Sequence, residues 1–190
     1  MITSEQIEKN KKTYLTAIKT YNVCHPEMFD ILTNLGMFEA PASTMLSLHN
    51  AFPGGLVDHL LRVASYATKI NETLPESLKQ KKESLIRISL LHGIGKVGLY
   101  KPNKSDWHIK NQGKMYEFNE ELTSMSVGER SVYYMIIYQN GEMLNDIEYQ
   151  AIINYDKPQS DKMSEWHTST LGEILKMAIK LAIIEEKSNK

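Results

Sequence analysis

With 190 residues, 42% of them hydrophobic and 24% charged, the chain is long enough to bury a full core as one domain and has the balance of a soluble globular protein. A formal net charge of -1 argues against the basic footprint of a duplex-DNA binder and against a polybasic membrane anchor. The single cysteine, Cys24, excludes an internal disulfide, and no apolar run approaches the length of a membrane span.

The opening stretch Met1–Lys12 is polar and charged, unlike a secretory signal, so the expected location is the cytosol. Thr3 and Gln6 have capping-box spacing and predict a helix from about Ser4, with Ile7, Tyr14, Leu15, Ile18 and Tyr21 as its apolar stripe. Pro26 predicts the start of a second helix carrying Met28, Phe29, Ile31, Leu32 and Leu35, and Gly36 stops it. Met37–Gly55 is broken by Pro41, Pro53 and the Gly54-Gly55 pair and reads as irregular. Leu56, Leu60, Val63, Ala64, Ala67 and Ile70 then predict a strongly amphipathic helix, with His59 beside its apolar stripe.

From Pro75 one helix is expected through Leu78, Leu85, Ile88 and Leu91 into His92. Lys96–Glu121 shows no helical pattern. Within it, Trp107–Lys110 and Lys114–Phe118, joined across Asn111-Gln112-Gly113, predict a small hairpin. Ser126 and Glu129 form a second capping box for a helix carrying Val132, Met135, Ile136 and Tyr138 and stopped by Gly141. Asn145 and Glu148 begin another, with Ile147, Ala151 and Ile152. Asp156–Ser164 reads as a polar loop. The last helix starts near Thr170, carries Leu171, Ile174, Leu175, Ala178, Leu181 and Ala182, and gives way to a polar, frayed tail from Glu185. The fold class is therefore all-α, with one small hairpin.

The residues that could carry chemistry gather around Ser89–Gly98. An apolar run delivers His92 to a helix end, and Gly93, Gly95 and Lys96 follow. An imidazole and an ammonium beside a close-approach backbone suit phosphate or metal chemistry. His49 and His59 are the other two histidines at organised places. Two histidines on neighbouring helices can share a metal, but a hydrolytic site also needs carboxylates, for which Asp58, Asp106 and Asp156 are candidates. Set against this, a histidine on an apolar face is usually a hydrogen-bonded core residue. Cys24 reads as buried filler despite the adjacent His25. Trp107, Tyr116 and Phe118 read as a cluster under a loop rather than a base-stacking platform. Tyr133-Tyr134 reads as one core and one surface residue, and Lys79–Glu83 as a solvated face.

Three segments together resemble the HD-domain metal-dependent phosphohydrolases: Ala40-Pro41-Ala42-Ser43-Thr44, then His49 through Gly54-Gly55 to Asp58-His59, then Leu91-His92-Gly93-Ile94-Gly95-Lys96. Later text, from Trp107 to Tyr116, Arg130-Ser131, Ala151-Ile152 and the Leu175–Ala182 helix, is similar to the branch often encoded by bacteriophages. The resemblance spans roughly 38–184. It implies one HD-type helical bundle over 1–190, with N-terminal helices over 1–37 and a tail over 185–190.

The resemblance also implies metal ligation by His59 and His92 and by three further positions. Those three hold Gly93 in place of an aspartate, Tyr155 in place of the histidine of a second His-Asp pair whose acid, Asp156, is retained, and Ile179 in place of the distal aspartate. A chain with those replacements is expected to be a pseudo-phosphohydrolase without a metal cofactor, in which His59 and His92 are remnant ligands. His59, His92, Lys96, Arg130 and Asp156 would then form a pocket for a phosphorylated small molecule such as a nucleotide. A host protein is the other partner class, in the host cytoplasm if the chain is phage-encoded. The competing expectation is an active phosphohydrolase on a nucleotide or nucleic-acid end, using Mn, Fe, Ni or Zn. A third is an oligomerising scaffold that exposes an apolar face on the first helix (Ile7, Tyr14, Ile18) or the last.

Overall fold

The computed structural model describes residues 2–138, 144–157 and 169–188. Among them are eight α-helices: α1 (Ser4–Thr20), α2 (Pro26–Asn34), α3 (Gly55–Thr73), α4 (Lys82–Leu91), α5 (Asp106–Gln112), α6 (Val127–Tyr138), α7 (Asp146–Asn154) and α8 (Thr170–Ser188). Two short strands, β1 (Tyr100–Pro102) and β2 (Tyr116–Phe118), form the one small sheet. None of the described helices is long and apolar enough to cross a membrane.

Local chemistry sets the helix starts. Thr3 caps α1 by accepting from the Gln6 N–H, and Pro26 occupies the first turn of α2, where its missing N–H costs nothing. Ser126 and Glu129 exchange both capping-box bonds at α6, as do Asn145 and Glu148 at α7. Gly54 enters α3 at φ 78°, a left-handed conformation that favours glycine.

The long amphipathic α3 is the axis of the bundle and packs against α8, α4 and α1. Its Leu56, Leu60 and Val63 are fully buried with Leu85, Ile88 and Leu91 of α4 and Ile174, Leu175 and Ala178 of α8. Each such Leu or Ile contributes about 1.5–3 kcal/mol of burial, so this three-helix seam fixes which α3 residues face inward. His59 lies in that inward row because it is one residue before Leu60 and three after Leu56. Tyr14, Phe29 and Phe38 make an aromatic group continuous with the same core, and the Tyr14 hydroxyl donates to the Leu90 carbonyl at 2.9 Å.

The structure departs from the sequence reading at four places. The helix expected from Pro75 is split into a short 3-10 turn, Glu76–Leu78, and α4, because Asn71 ties down the intervening chain through both bonds of its amide to Gln80. Trp107–Lys110 is not a hairpin strand. Ser105 caps it into α5, Gly113 ends that helix at φ 62°, and β2 pairs antiparallel with β1 instead, Tyr100 opposite Phe118. Trp107 and Phe118 are not covered by a loop; they are 60% and 63% exposed. The tail from Glu185 does not fray but continues α8 to Ser188.

Tyr134 is buried and Tyr133 exposed, as read from the sequence. Tyr14 and Ile18 are core residues, so α1 offers no apolar outer face, whereas α8 exposes Met177, Leu181 and Ile184. The Gly141 stop and most of the polar loop after Asp156 lie outside the described residues.

Candidate functional site

The site is a row of rings. His49, His59, His92 and Tyr155 follow one another with centroid separations of 4.8, 5.8 and 4.9 Å. Each ring comes from a different element, so the row exists only in the folded chain. His49 sits in the loop before α3, His59 on α3, His92 at the C-terminus of α4 and Tyr155 just past α7.

The loop bearing His49 is tied at both ends. The Ala42 N–H donates to the Asn50 carbonyl at 3.0 Å, and the Asn50 side chain reaches Gly55 and Asp58. Gly55 is required there because a Cβ would strike the Asn50 carbonyl oxygen. His92 Nδ1 lies 2.9 Å from the Ser89 carbonyl. A carbonyl only accepts, so Nδ1 carries the proton and Nε2 presents a lone pair. Burial, followed by the field of His59, holds His92 well below the usual imidazole range.

His59 Nδ1 lies 2.9 and 3.1 Å from the two oxygens of Glu186. Both groups are buried. Desolvation lowers His59 to about 3, with Lys96 adding to the effect, and raises Glu186 to about 8. Burial therefore favours an uncharged pair sharing one proton over an ion pair. Outside it, Arg62 bridges to Asp58 at 3.2 Å and to Glu185, and its Nε is 3.5 Å from Glu186. Tyr66 donates to Glu185 at 2.8 Å. This lattice locks the end of α8 onto α3.

Lys96 ends the 3-10 turn after Gly93, and its ammonium donates to the Ala42 carbonyl at 2.6 Å. Burial draws it down to about 8, although Glu186 and Asp156 act in the opposite sense. The turn is pressed onto α6. A Cβ on Gly95 would lie 2.8 Å from the Ser131 N and 2.9 Å from the Arg130 Cβ, and the Ser131 hydroxyl both accepts from the Gly95 N–H and donates to the His92 carbonyl.

His59, His92 and Lys96 are thus gathered in one place. Arg130 and Asp156 are placed differently. Arg130 is buried, and its guanidinium holds the Thr123 carbonyl and the Tyr134 hydroxyl. Asp156 is exposed, accepts from the Gly128 N–H at the first turn of α6, and influences Lys96 only through space.

The three replaced positions are filled by non-ligands. A Cβ on Gly93 would meet Leu60 at 3.1 Å and Leu56 at 3.5 Å. Ile179 belongs to the apolar core. Tyr155 stands edge-on to His92, and burial raises its hydroxyl well above the usual phenol range, so it is no phenolate. The substitute acids named from sequence are elsewhere too: Asp58 is bound to Asn10, Asn50 and Arg62, and Asp106 opens α5. The acid beside the histidines is Glu186, which sequence reading placed in a tail. Its position seven and eleven residues after Ile179 and Leu175, on the buried row of α8, is the signal that could have found it, at least as a buried residue.

Over 97 residues the chain is 32% identical to the dihydroneopterin 2',3'-cyclic phosphate phosphodiesterase of Methanocaldococcus jannaschii. The relationship is distant and phosphohydrolase-like. The aligned part is 49% of this chain and 37% of that relative, so the chain spans about a third of the relative's length. No family model matches the chain, and no solved structure matches it.

Proposed function

We propose that this chain is a catalytically degenerate phosphohydrolase-like protein of the cytosol that binds a phosphorylated small molecule of nucleotide type and does not cleave it. The observation that carries this reading is the loss of the implied aspartates at positions 93 and 179, together with the implied histidine at position 155. Gly93 faces leucine methyls, Ile179 sits in the core and Tyr155 packs on His92. Without those acids there is no bridging charge to hold two dications beside an attacking water. What the site retains is a donor set for an anion: Nε2 of the histidines if protonated by the ligand's approach, and the Lys96 ammonium, which is charged below about pH 8. The relative's substrate, a cyclic phosphate ester, supports the ligand class.

The alternative of an active hydrolase draws on Glu186, a carboxylate in contact with His59. The two readings part in one assay. Nucleoside 5'-monophosphates and 2',3'-cyclic phosphates are titrated by calorimetry, and turnover of the same compounds is followed with added Mn, Fe, Ni or Zn. The expected result is binding of the phosphorylated forms but not the free nucleosides, loss of binding in Lys96→Met, and no turnover. Metal-dependent turnover, or equal affinity for nucleoside and nucleotide, overturns the proposal.

A further inference from the structure

We infer that His49, His59 and Glu186 form a mononuclear site for a borderline divalent ion, of which zinc is the best fit, offset from the position implied by the phosphohydrolase resemblance. One ligand atom from each residue lies within 4.8 Å of the other two. Two imidazoles and one carboxylate are a donor set that suits zinc, with a fourth position left for water or a ligand. A tetrahedral ion with bonds of about 2.0–2.2 Å needs donor atoms roughly 3.3–3.6 Å apart, a closure within reach of side-chain rotation.

The surroundings support a site rather than a chance grouping. His59 and Glu186 are buried and His49 is half-buried. The Ser43 hydroxyl holds the His49 carbonyl, which fixes the backbone that presents the ring. Arg62 and Lys96 oppose a cation, but Asp58, Glu185 and Glu186 face them, three carboxylates against two cations. Arg62 Nε also lies 3.5 Å from the Glu186 oxygen that His59 contacts.

The offset follows from the helix. Glu186 is seven residues beyond Ile179, about 10 Å along the axis of α8. His92, the second remnant ligand, lies on the other side of His59 in the row of rings and is not part of the group. The site therefore uses one of the two remnant ligands, His59, with a different partner set.

The test uses the full chain, freed of metal by chelation and titrated with Zn and then Co ions by calorimetry and visible spectroscopy. The expected result is one equivalent bound, with cobalt d–d absorption of low coordination number. Glu186→Gln and His49→Ala each lose more than about 100-fold in affinity, beyond the usual effect of an outer-shell change, while His92→Ala retains it. Far-UV circular dichroism checks each fold, and because His49 is on a loop, its variant decides the matter if the Glu186 variant unfolds. Failure to bind either ion overturns the inference and leaves the nucleotide-binding proposal standing. Binding lost in His92→Ala but kept in Glu186→Gln overturns it too, and places the ion where a hydrolase would hold one.

Discussion

Among the described residues two carboxylates are buried, and they lead opposite lives. Glu148 is 0% exposed and Glu186 5% exposed. Glu148 stands in the first turn of α7, where the helix dipole is positive, completes a capping box with Asn145 and meets Arg87 through two contacts of 3.2 Å. Glu186 stands in the last turn of α8, where the dipole is negative, and faces an imidazole. Its charged neighbours are Arg62, whose Nε lies 3.5 Å away but whose guanidinium is shared with Asp58 and Glu185, and Lys96, a cation that burial makes easier to discharge, whereas Arg87 meets Glu148 directly. A carboxylate fully supplied with partners is structure. One held against its preference is available for a ligand, a proton or a metal.

The comparison can be broken or sharpened in four ways. Glu148→Gln has the largest expected effect, because it leaves Arg87 without its acid: a loss of about 3 kcal/mol in urea unfolding. An unchanged midpoint would mean that the buried pair is neutral in its effect. Next is the pH dependence of Lys96. Its ammonium is lost as pH rises through about 8, so nucleotide affinity falls by up to about tenfold per pH unit above that point, and Lys96→Met removes the dependence. The stability sign is opposite. The unfolded chain keeps this proton up to about 10.5, so the group's contribution to unfolding free energy rises between about 8 and 10.5. A flat affinity profile across pH 8 would remove Lys96 from the binding site.

Smaller is Asn145→Ala, which deletes the cap that Glu148 completes and costs about 1 kcal/mol in thermal melts. Smallest in stability is Glu186→Gln in metal-free protein at pH 7. The carboxyl is already neutral there, so a neutral isostere costs under about 1 kcal/mol. A loss as large as that at Glu148 would show that Glu186 and His59 form an ion pair after all and would erase the distinction between the two acids.

Much of the scaffold was legible before folding. The capping pairs Thr3/Gln6, Ser126/Glu129 and Asn145/Glu148 work through bonds within one turn, so spacing alone reveals them. The stripe of α3 is likewise periodic, and it placed His59 inward. The hairpin failed because strand pairing is non-local: β2 found β1 across the intervening α5, and Ser105 and Gly113 outvoted the alternation.

At the site, the sequence determined that His59, His92 and Lys96 would be close, through short motifs carried on packed helices. It also determined that positions 93 and 179 hold no aspartate and that position 155 holds no histidine. Tertiary structure alone decided that His49 joins the row of rings, that Arg130 and Asp156 turn to other partners, and that Glu186 closes on His59. The last of these rests on where α8 crosses α3, 127 residues apart in the chain for the His59–Glu186 contact, and a crossing of that range is set by core packing that no local pattern records.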